Sequence, residues 1–410
     1  MTAQPVLHSA AELFTPDFFD DPYPAYRRFR EIDPVLELPF NLQLEQAQET
    51  YHDYQGSWLI TGFDACGEAL RRHETFSSMI PGVSAEAQER ERLVLINTDQ
   101  PRHTRLRAML NKTMTPRRTA SLQPWIRTLV VRILDEAGTG EVDVVAQLAE
   151  PLPILVIASL IGVPPEDLAQ FKIWSDAMVA LPTPETIDAN RAKTQAMHKY
   201  IGSMLAERRA HPSDDFMSTL IQAGGTAEPL EDWEITSFCV LLLLAGNETT
   251  RNLVSCLLNV VVDEPAIWRA LGADRALIPL AIEESLRFDS PVQILNRWTT
   301  KETSLGGHTL PAGANVAVAY AAGNRDPAVF ADPDTFIADR PENRHLAFGM
   351  GIHFCLGAPL ARMEAAVVVE EMLDRYPTIS RARPATFQHA ARVIRGLESL
   401  PVFLGEAAGS

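Results

Sequence analysis

The sequence predicts a mainly α-helical fold with a small β lobe, on three observations. Apolar residues recur with a helical period over most of the chain, and the run Asp232–Asp263 keeps that period without a break. Only short stretches read as strands, chiefly 35–38, 58–61, 295–300 and 316–320. No internal repeat, low-complexity tract or linker divides residues 1–410, so one domain is expected, with a loosely ordered tail over about 1–15.

In chain order, Pro22 and Pro24 lead into an amphipathic stretch over 25–32, which Asp33-Pro34 stops. The strands 35–38 and 58–61 follow, joined by a polar segment, 41–56, that is long for a hairpin connection. Residues 63–72 read as a helix. The segment 76–98 has no period and mixes Gly, Pro, charge and apolar residues, as binding loops do. A helical pattern returns over 101–113, with Leu106, Met109 and Leu110 on one side. More helices continue to Ala223, punctuated at Gly162-Val163-Pro164-Pro165 and at His211-Pro212-Ser213-Asp214-Asp215. The run Asp232–Asp263 would reach roughly 45–50 Å at a rise of about 1.5 Å per residue. It is apolar on nearly every side around Leu241 to Leu244, so burial is expected. A helix over 278–288, the two later strands and a Pro-rich meander over 325–341 come next. The last helix begins just after Cys355.

Composition removes several classes of function. Lys and Arg total 36 against 53 Asp and Glu, a net charge of −17 that repels phosphate backbones and anionic lipid. Nucleic-acid and membrane binding are therefore not expected. The first ten residues lack the basic-then-apolar pattern of a targeting segment. The longest apolar run, 238–246, falls well short of the ~20 residues that span a bilayer. Four scattered cysteines form neither a disulfide framework nor a CxxC zinc pair, which suits a reducing cytoplasm. Cys66, Cys239 and Cys256 have no chemical setting and read as core.

Cys355 is different. It sits in Phe348-Gly349-Met350-Gly351-Ile352-His353-Phe354-Cys355-Leu356-Gly357, with three glycines around it and a helix directly behind. Glycine lets the backbone take φ > 0 and approach a flat ligand without a Cβ in the way. A helix amino terminus favours a thiolate and is expected to lower the pKa of this thiol. Pro359 suits the first helical turn. Such a loop, shielded by Phe348, could hold a haem iron through sulfur, and a thiolate ligand favours O–O cleavage.

The segment resembles the signature of the cytochrome P-450 superfamily, Phe-Gly-x-Gly-x-x-x-Cys-x-Gly, at every defined position. Separated motifs extend the likeness: Ala245-Gly246-Asn247-Glu248-Thr249-Thr250 in the long helix, Glu284-Ser285-Leu286-Arg287, Phe336 and Arg340 in the meander, and His103 with Arg107 in the 101–113 helix. The resemblance implies the cytochrome P-450 fold, with haem b between the long helix and the Cys355 loop and Cys355 as axial ligand of the iron. Phe348 and Gly349 would frame the ligand, and Ala245 and Gly246 would leave room for O2. Thr249 would donate a hydrogen bond to bound dioxygen and Glu248 would pass protons inward. His103, Arg107, Arg297 and His353 would meet the propionates, His103 and Arg107 pointing the same way at their i, i+4 spacing. Glu284, Arg287 and Arg340 would form a structural network beneath the loop.

By the same resemblance the reaction is R–H + O2 + two electrons + two protons giving R–OH and water, with O-dealkylation and epoxidation as variants. The 410 residues leave no stretch for a fused reductase. Electrons are expected from NAD(P)H through a reductase and a separate ferredoxin, which would dock on a local basic patch drawn from Arg71, Arg72, Arg117, Arg118 and Arg362. The substrate pocket would take in the loop 76–96 with Leu241, Leu244 and Ala245, then Val292, Ile294, Leu295, Val393 and Ile394. That aliphatic lining suits a lipophilic small molecule such as a terpenoid, steroid, fatty acyl or aromatic compound. A cytoplasmic monomer is expected. Two rival classes differ in testable ways: a peroxide-using haem-thiolate enzyme, against which Glu248-Thr249 argues, and a non-enzymatic helical binding protein, which would show no haem-thiolate spectrum.

Overall fold

The computed structural model describes residues 13, 15–38, 56–81, 95–179, 186–223, 229–389 and 393–405. The tail expected over 1–15, the connection 41–56 and the middle of the loop 76–96 fall almost wholly outside the described residues.

Helices dominate, and six of them position the site: α1 Phe63–Arg71, α2 Arg102–Thr113, α3 Pro151–Ile161, α4 Asp232–Asp263, α5 Leu277–Phe288 and α6 Ala358–Arg375. Helix α4 has the bounds that its sequence period predicts. A capping box starts it: Glu231 accepts from the Glu234 backbone, and the Glu231 N–H donates back to the Glu234 carboxylate at 2.8 Å. Its middle and carboxy-terminal turns bury Leu241, Leu243, Leu253, Leu257 and Leu258, and α3, α5 and α6 pack around it. An all-round apolar helix is stable only in such a central position.

The β lobe is a five-stranded sheet in the order β1-β2-β5-β4-β3, with β1 Val35–Leu38, β2 Ser57–Ile60, β3 Phe76–Ser77, β4 Ile294–Thr299 and β5 Asn315–Ala319. β2 and β5 run parallel and the other pairs antiparallel. Among the described residues three small sheets lie outside it, one of them Gly140–Asp143 with Pro401–Leu404 and Ile379–Arg381. Strands of two to four residues carry too little alternation to stand out in a sequence. On β4 the alternation of faces sends Leu295 and Arg297 one way and Ile294 the other. Ile294 joins Phe29, Leu36 and Leu59 in a separate core behind the sheet. The expected pocket role of Ile294 is thereby corrected: the strand register turns it away.

The meander packs on α5 through Glu284, Arg287 and Arg340, all buried. The Glu284 carboxylate accepts from Arg287 Nε and Nη2, both at 2.7 Å, and from Arg340 Nε at 3.0 Å. The two guanidinium groups also hydrogen-bond backbone carbonyls of Asn324, Ala331, Pro333 and Thr335. Thus one carboxylate and two cations tie an irregular segment to a helix. Phe336 closes the same region edge-on to Phe288. Among the described residues no helix is long and apolar enough to cross a membrane.

Candidate haem-thiolate site

The cysteine loop closes on itself before α6 begins. The Cys355 N–H donates to the Phe348 carbonyl at 2.8 Å, and the Gly349 N–H donates to that of Leu346 at 2.7 Å. Gly349 and Gly351 take φ of +70° and +68°. A Cβ on Gly351 would stand 2.7 Å from the Leu70 carbonyl, so the loop also presses against α1. The amides of Gly357 and Ala358, with Arg107 and Arg362, act to lower the Cys355 pKa, yet burial outweighs them and the thiol is pushed up. The expected fall in pKa is therefore corrected: desolvation of a buried sulfur exceeds what helix amides return. A thiol in such a place loses its proton when a metal cation takes over the sulfur. Cys66, Cys239 and Cys256 are buried with pKa values raised by burial, as inert core thiols are.

Cys355 lines a cavity of about 380 Å³, together with Phe348, Gly349 and Leu356 of its loop. Helix α4 contributes Leu241, Leu244, Ala245, Gly246, Glu248 and Thr249 to the same cavity, and Val292, Leu295 and Ile394 complete the predicted lining. Leu95 and Ile96 enter from the end of the 76–96 loop. Val393 does not line it. An isolated bridge pairs Val292 with Ile394, the Val393 carbonyl accepts from Gln293 N–H, and the Val393 side chain is exposed. The alternation that brings Ile394 in turns Val393 out. Sequence reasoning missed Ile157 on α3, Leu253 one turn beyond Thr249, and Glu364 on α6, each lining the cavity from an element whose facing the sequence does not fix.

The α4 motif carries local detail. Thr249 Oγ1 donates to the Ala245 carbonyl at 2.6 Å, so the hydroxyl proton is engaged and its lone pairs are what it can offer a neighbour. Glu248 has its pKa raised by burial, against the opposing pull of Arg251. A carboxyl whose protonated form burial favours suits proton delivery. A Cβ on Gly246 would come within 2.9 Å of Ile157 Cδ1. The glycine therefore lets α3 pack closely, a reason independent of any space for oxygen. Glu364 is buried with Oε2 unpartnered, and burial pushes its pKa up to about 8.

Arg107 and Arg297 line the cavity, and neither has a carboxylate partner among the described residues. Each donates only to a backbone carbonyl: Arg107 Nη2 to Phe354 at 2.6 Å, Arg297 Nη1 to Asn296 at 2.8 Å. His353 lines the cavity too, with Nε2 3.0 Å from Ser78 Oγ. His103 is buried just behind, its ring 4.4 Å from that of His353 and its Nε2 unpartnered. Burial, then the neighbouring arginines, push His103 down to about 4 and His353 to about 2, so both imidazoles are neutral near pH 7. Two guanidinium groups with no carboxylate partner among the described residues, an orphaned ring nitrogen and a half-buried cysteine on one cavity fit the donor needs of a haem. The sulfur would hold the iron of a haem, and the cations would balance its acidic propionates.

The arginines expected at a docking patch are mostly committed elsewhere. Arg72 pairs with Glu68 and Thr303, Arg118 with Asp214 and Thr219, and Arg362 with Glu283. Arg71 donates to the Met350 sulfur at 3.2 Å. Arg117 is exposed on the helix Pro116–Ser121, which packs on α6, and has no ion pair among the described residues. Phe354, next to Cys355, is 44% exposed.

Comparison with known proteins points one way. The family model described as Cytochrome P-450 matches residues 168–389. The putative cytochrome P-450 YjiB of Bacillus subtilis is 33% identical over 389 residues, 93% of each chain. Among solved structures, CYP109E1 from Bacillus megaterium in complex with corticosterone is 34% identical, with a TM-score of 0.83 over 95% of this chain and 100% of that one. The bacillaene polyketide synthase cytochrome P-450 PksS of Bacillus subtilis 168 is 32% identical, with a TM-score of 0.87 over 96% and 99%.

Proposed function

The chain belongs to the cytochrome P-450 family and is a P-450 monooxygenase of that fold, and on this premise we propose that Cys355 holds its haem iron while α4 supplies the oxygen-side groups. The observation that carries the reading is the joint lining of one apolar cavity by the Cys355 loop, the 245–249 segment and two guanidinium groups lacking carboxylates. Haem, when bound, supplies the oxidising chemistry on dioxygen. The chain's residues hold and position around it. Arg107 and Arg297 would balance the propionates, with neutral His103 and His353 offering hydrogen bonds. Glu248 would take protons from solvent and release them inside, next to the accepting lone pairs of Thr249 Oγ1. Leu241, Leu244, Val292, Leu295 and Ile394 would orient the substrate and exclude water.

The product is a hydroxylated, O-dealkylated or epoxidised lipophilic small molecule. Glu248 is the ionisable group on the α4 wall of the cavity, and it carries no cation for an acidic substrate. A neutral, mainly hydrocarbon substrate fits best. The similar CYP109E1 is seen with corticosterone, which favours a steroid or terpenoid. Electrons would arrive from NAD(P)H through a reductase and a ferredoxin, docking on the face that exposes Phe354 and Arg117. We place the protein in the cytoplasm as a monomer of one domain.

The test is reconstitution with ferredoxin, reductase, NAD(P)H and isotopically heavy dioxygen. Neutral steroids and terpenoids that give a high-spin shift on binding would be supplied as substrates. Label from dioxygen should enter the product in proportion to electrons used. Turnover with peroxide alone, and none with reductant, would transfer the protein to the peroxide-using class.

A further inference from the structure

We propose that Glu283, His345 and Arg362 form a positioning relay that fixes a guanidinium over Phe348 and so sets the charge and packing around the Cys355 sulfur. The proposal rests on the reading of Cys355 as the iron ligand.

The relay begins on α5. Glu283 precedes Glu284, and successive helical residues diverge by about 100°. Two adjacent carboxylates therefore serve different partners: Glu284 turns to the meander, and Glu283 turns to the cysteine loop and α6. Arg362 Nε donates to Glu283 Oε1 at 2.6 Å and Arg362 Nη2 to Oε2 at 2.7 Å. That bidentate fork locks the guanidinium plane, which a lysine ammonium could not do. The Arg362 guanidinium centre lies 4.5 Å from the centroid of the Phe348 ring. Phe348 in turn accepts the Cys355 N–H through its carbonyl and lines the cavity with its residue.

His345 ties the other end. The Ala347 N–H donates to His345 Nδ1 at 3.2 Å, so Nδ1 carries a lone pair and the proton resides on Nε2. That Nε2–H then donates to Glu283 Oε2 at 3.1 Å. The ring is held from both sides, and the backbone leading into the loop is anchored to the same carboxylate as Arg362. Burial works against a charged Glu283, but the hydrogen bonds from Arg362 and His345 prevail and hold its carboxyl at about 2. The pair has no net charge, so the sulfur sees a cation offset by a nearby anion. Arg362 is accordingly part of the sulfur's surroundings, and its 37% side-chain exposure is not that of a free docking residue.

Removing one partner at a time separates charge from scaffold. In Glu283→Gln the guanidinium loses its counter-charge, favouring the reduced, electron-richer iron. In Arg362→Gln the unpaired carboxylate disfavours it. One-electron reduction midpoints of the haem-loaded variants should move in opposite directions, roughly three- to tenfold in the equilibrium, tenfold being about 59 mV. The double variant Glu283→Gln with Arg362→Gln should return close to wild type. Arg362→Lys should restore most of the potential but not the fixed ring. The reduced carbon-monoxide complex reports separately on the ligand. If wild type lacks the red-shifted Soret band, the thiolate assignment fails. If the band is present but both single variants shift together, or neither shifts, the relay is structural only and the proposal falls. An Arg362→Gln variant whose potential is unchanged, while ferredoxin reduction slows in a salt-dependent way, would make Arg362 a docking residue and likewise overturn it.

Discussion

Glu284→Gln is expected to cost more stability than almost any other isosteric change in this chain. Both oxygens of Glu284 are used: Arg287 reaches them from Nε and Nη2 at 2.7 Å, Arg340 Nε from 3.0 Å, Ile337 N–H from 2.9 Å and Asn343 Nδ2 from 3.0 Å. The Arg287 and Glu284 side chains are fully buried, and that of Arg340 is 5% exposed. Glutamine keeps the volume but removes the single anion facing two buried cations. Breaking a buried ion pair by removing one partner costs about 3–5 kcal/mol, against a total stability of about 5–15 kcal/mol for a typical protein. With a urea slope of about 3 kcal/mol/M, the unfolding midpoint should fall by roughly 1–1.7 M. The assay is equilibrium urea unfolding followed by circular dichroism, with haem content measured in parallel. Because the network fastens the meander to α5, haem retention should fall with the midpoint. A loss below about 1 kcal/mol would refute the reasoning and show that backbone carbonyls alone satisfy both guanidinium groups.

Three further outcomes are expected. Thr249→Ala should divert electrons from product to peroxide, lowering product per electron pair by roughly five- to tenfold, the worth of one hydrogen bond of about 1 kcal/mol; coupling left unchanged would remove Thr249 from oxygen handling. Gly246→Ala should destabilise by about 1–2 kcal/mol because its Cβ meets Ile157 Cδ1 at 2.9 Å, with Ile157→Val relieving much of that; a loss that Ile157→Val leaves in place would point to another cause. Glu364 holds its proton in the folded apo chain up to about pH 8 rather than the ordinary 4.5. A raised folded pKa gives stability that is present in full below the unfolded pKa and lost as pH rises through the folded one. Urea midpoints of the apo protein should therefore decline over that interval, and Glu364→Gln should flatten the decline; identical slopes would contradict the assignment.

How legible the molecule was depends on the range of each interaction. The bounds of α4 follow from period and capping, both local, and its structure keeps them. The setting of Cys355 was legible because three glycines and a helix start lie within ten residues of one another. Register was not. Whether Ile294 or Leu295 faces the cavity depends on how β4 pairs with β5, which no local pattern states, and Val393 differs from Ile394 for the same reason. The partner of Arg362 is 79 residues away in sequence, so an arginine that looked free for docking proved to be held by Glu283. The thiol pKa was misjudged for a related cause: helix amides are visible in a sequence, whereas the depth of burial is not.

Every role assigned around the cavity depends on Cys355 as the ligand of the iron. The most direct measurement is the absorption spectrum of the reduced, carbon-monoxide-bound protein, taken for wild type and for Cys355→Ala at matched haem content. The account predicts a red-shifted Soret band in wild type and its complete loss in the variant. A band that persists in Cys355→Ala, or is missing from the wild-type protein, would contradict it.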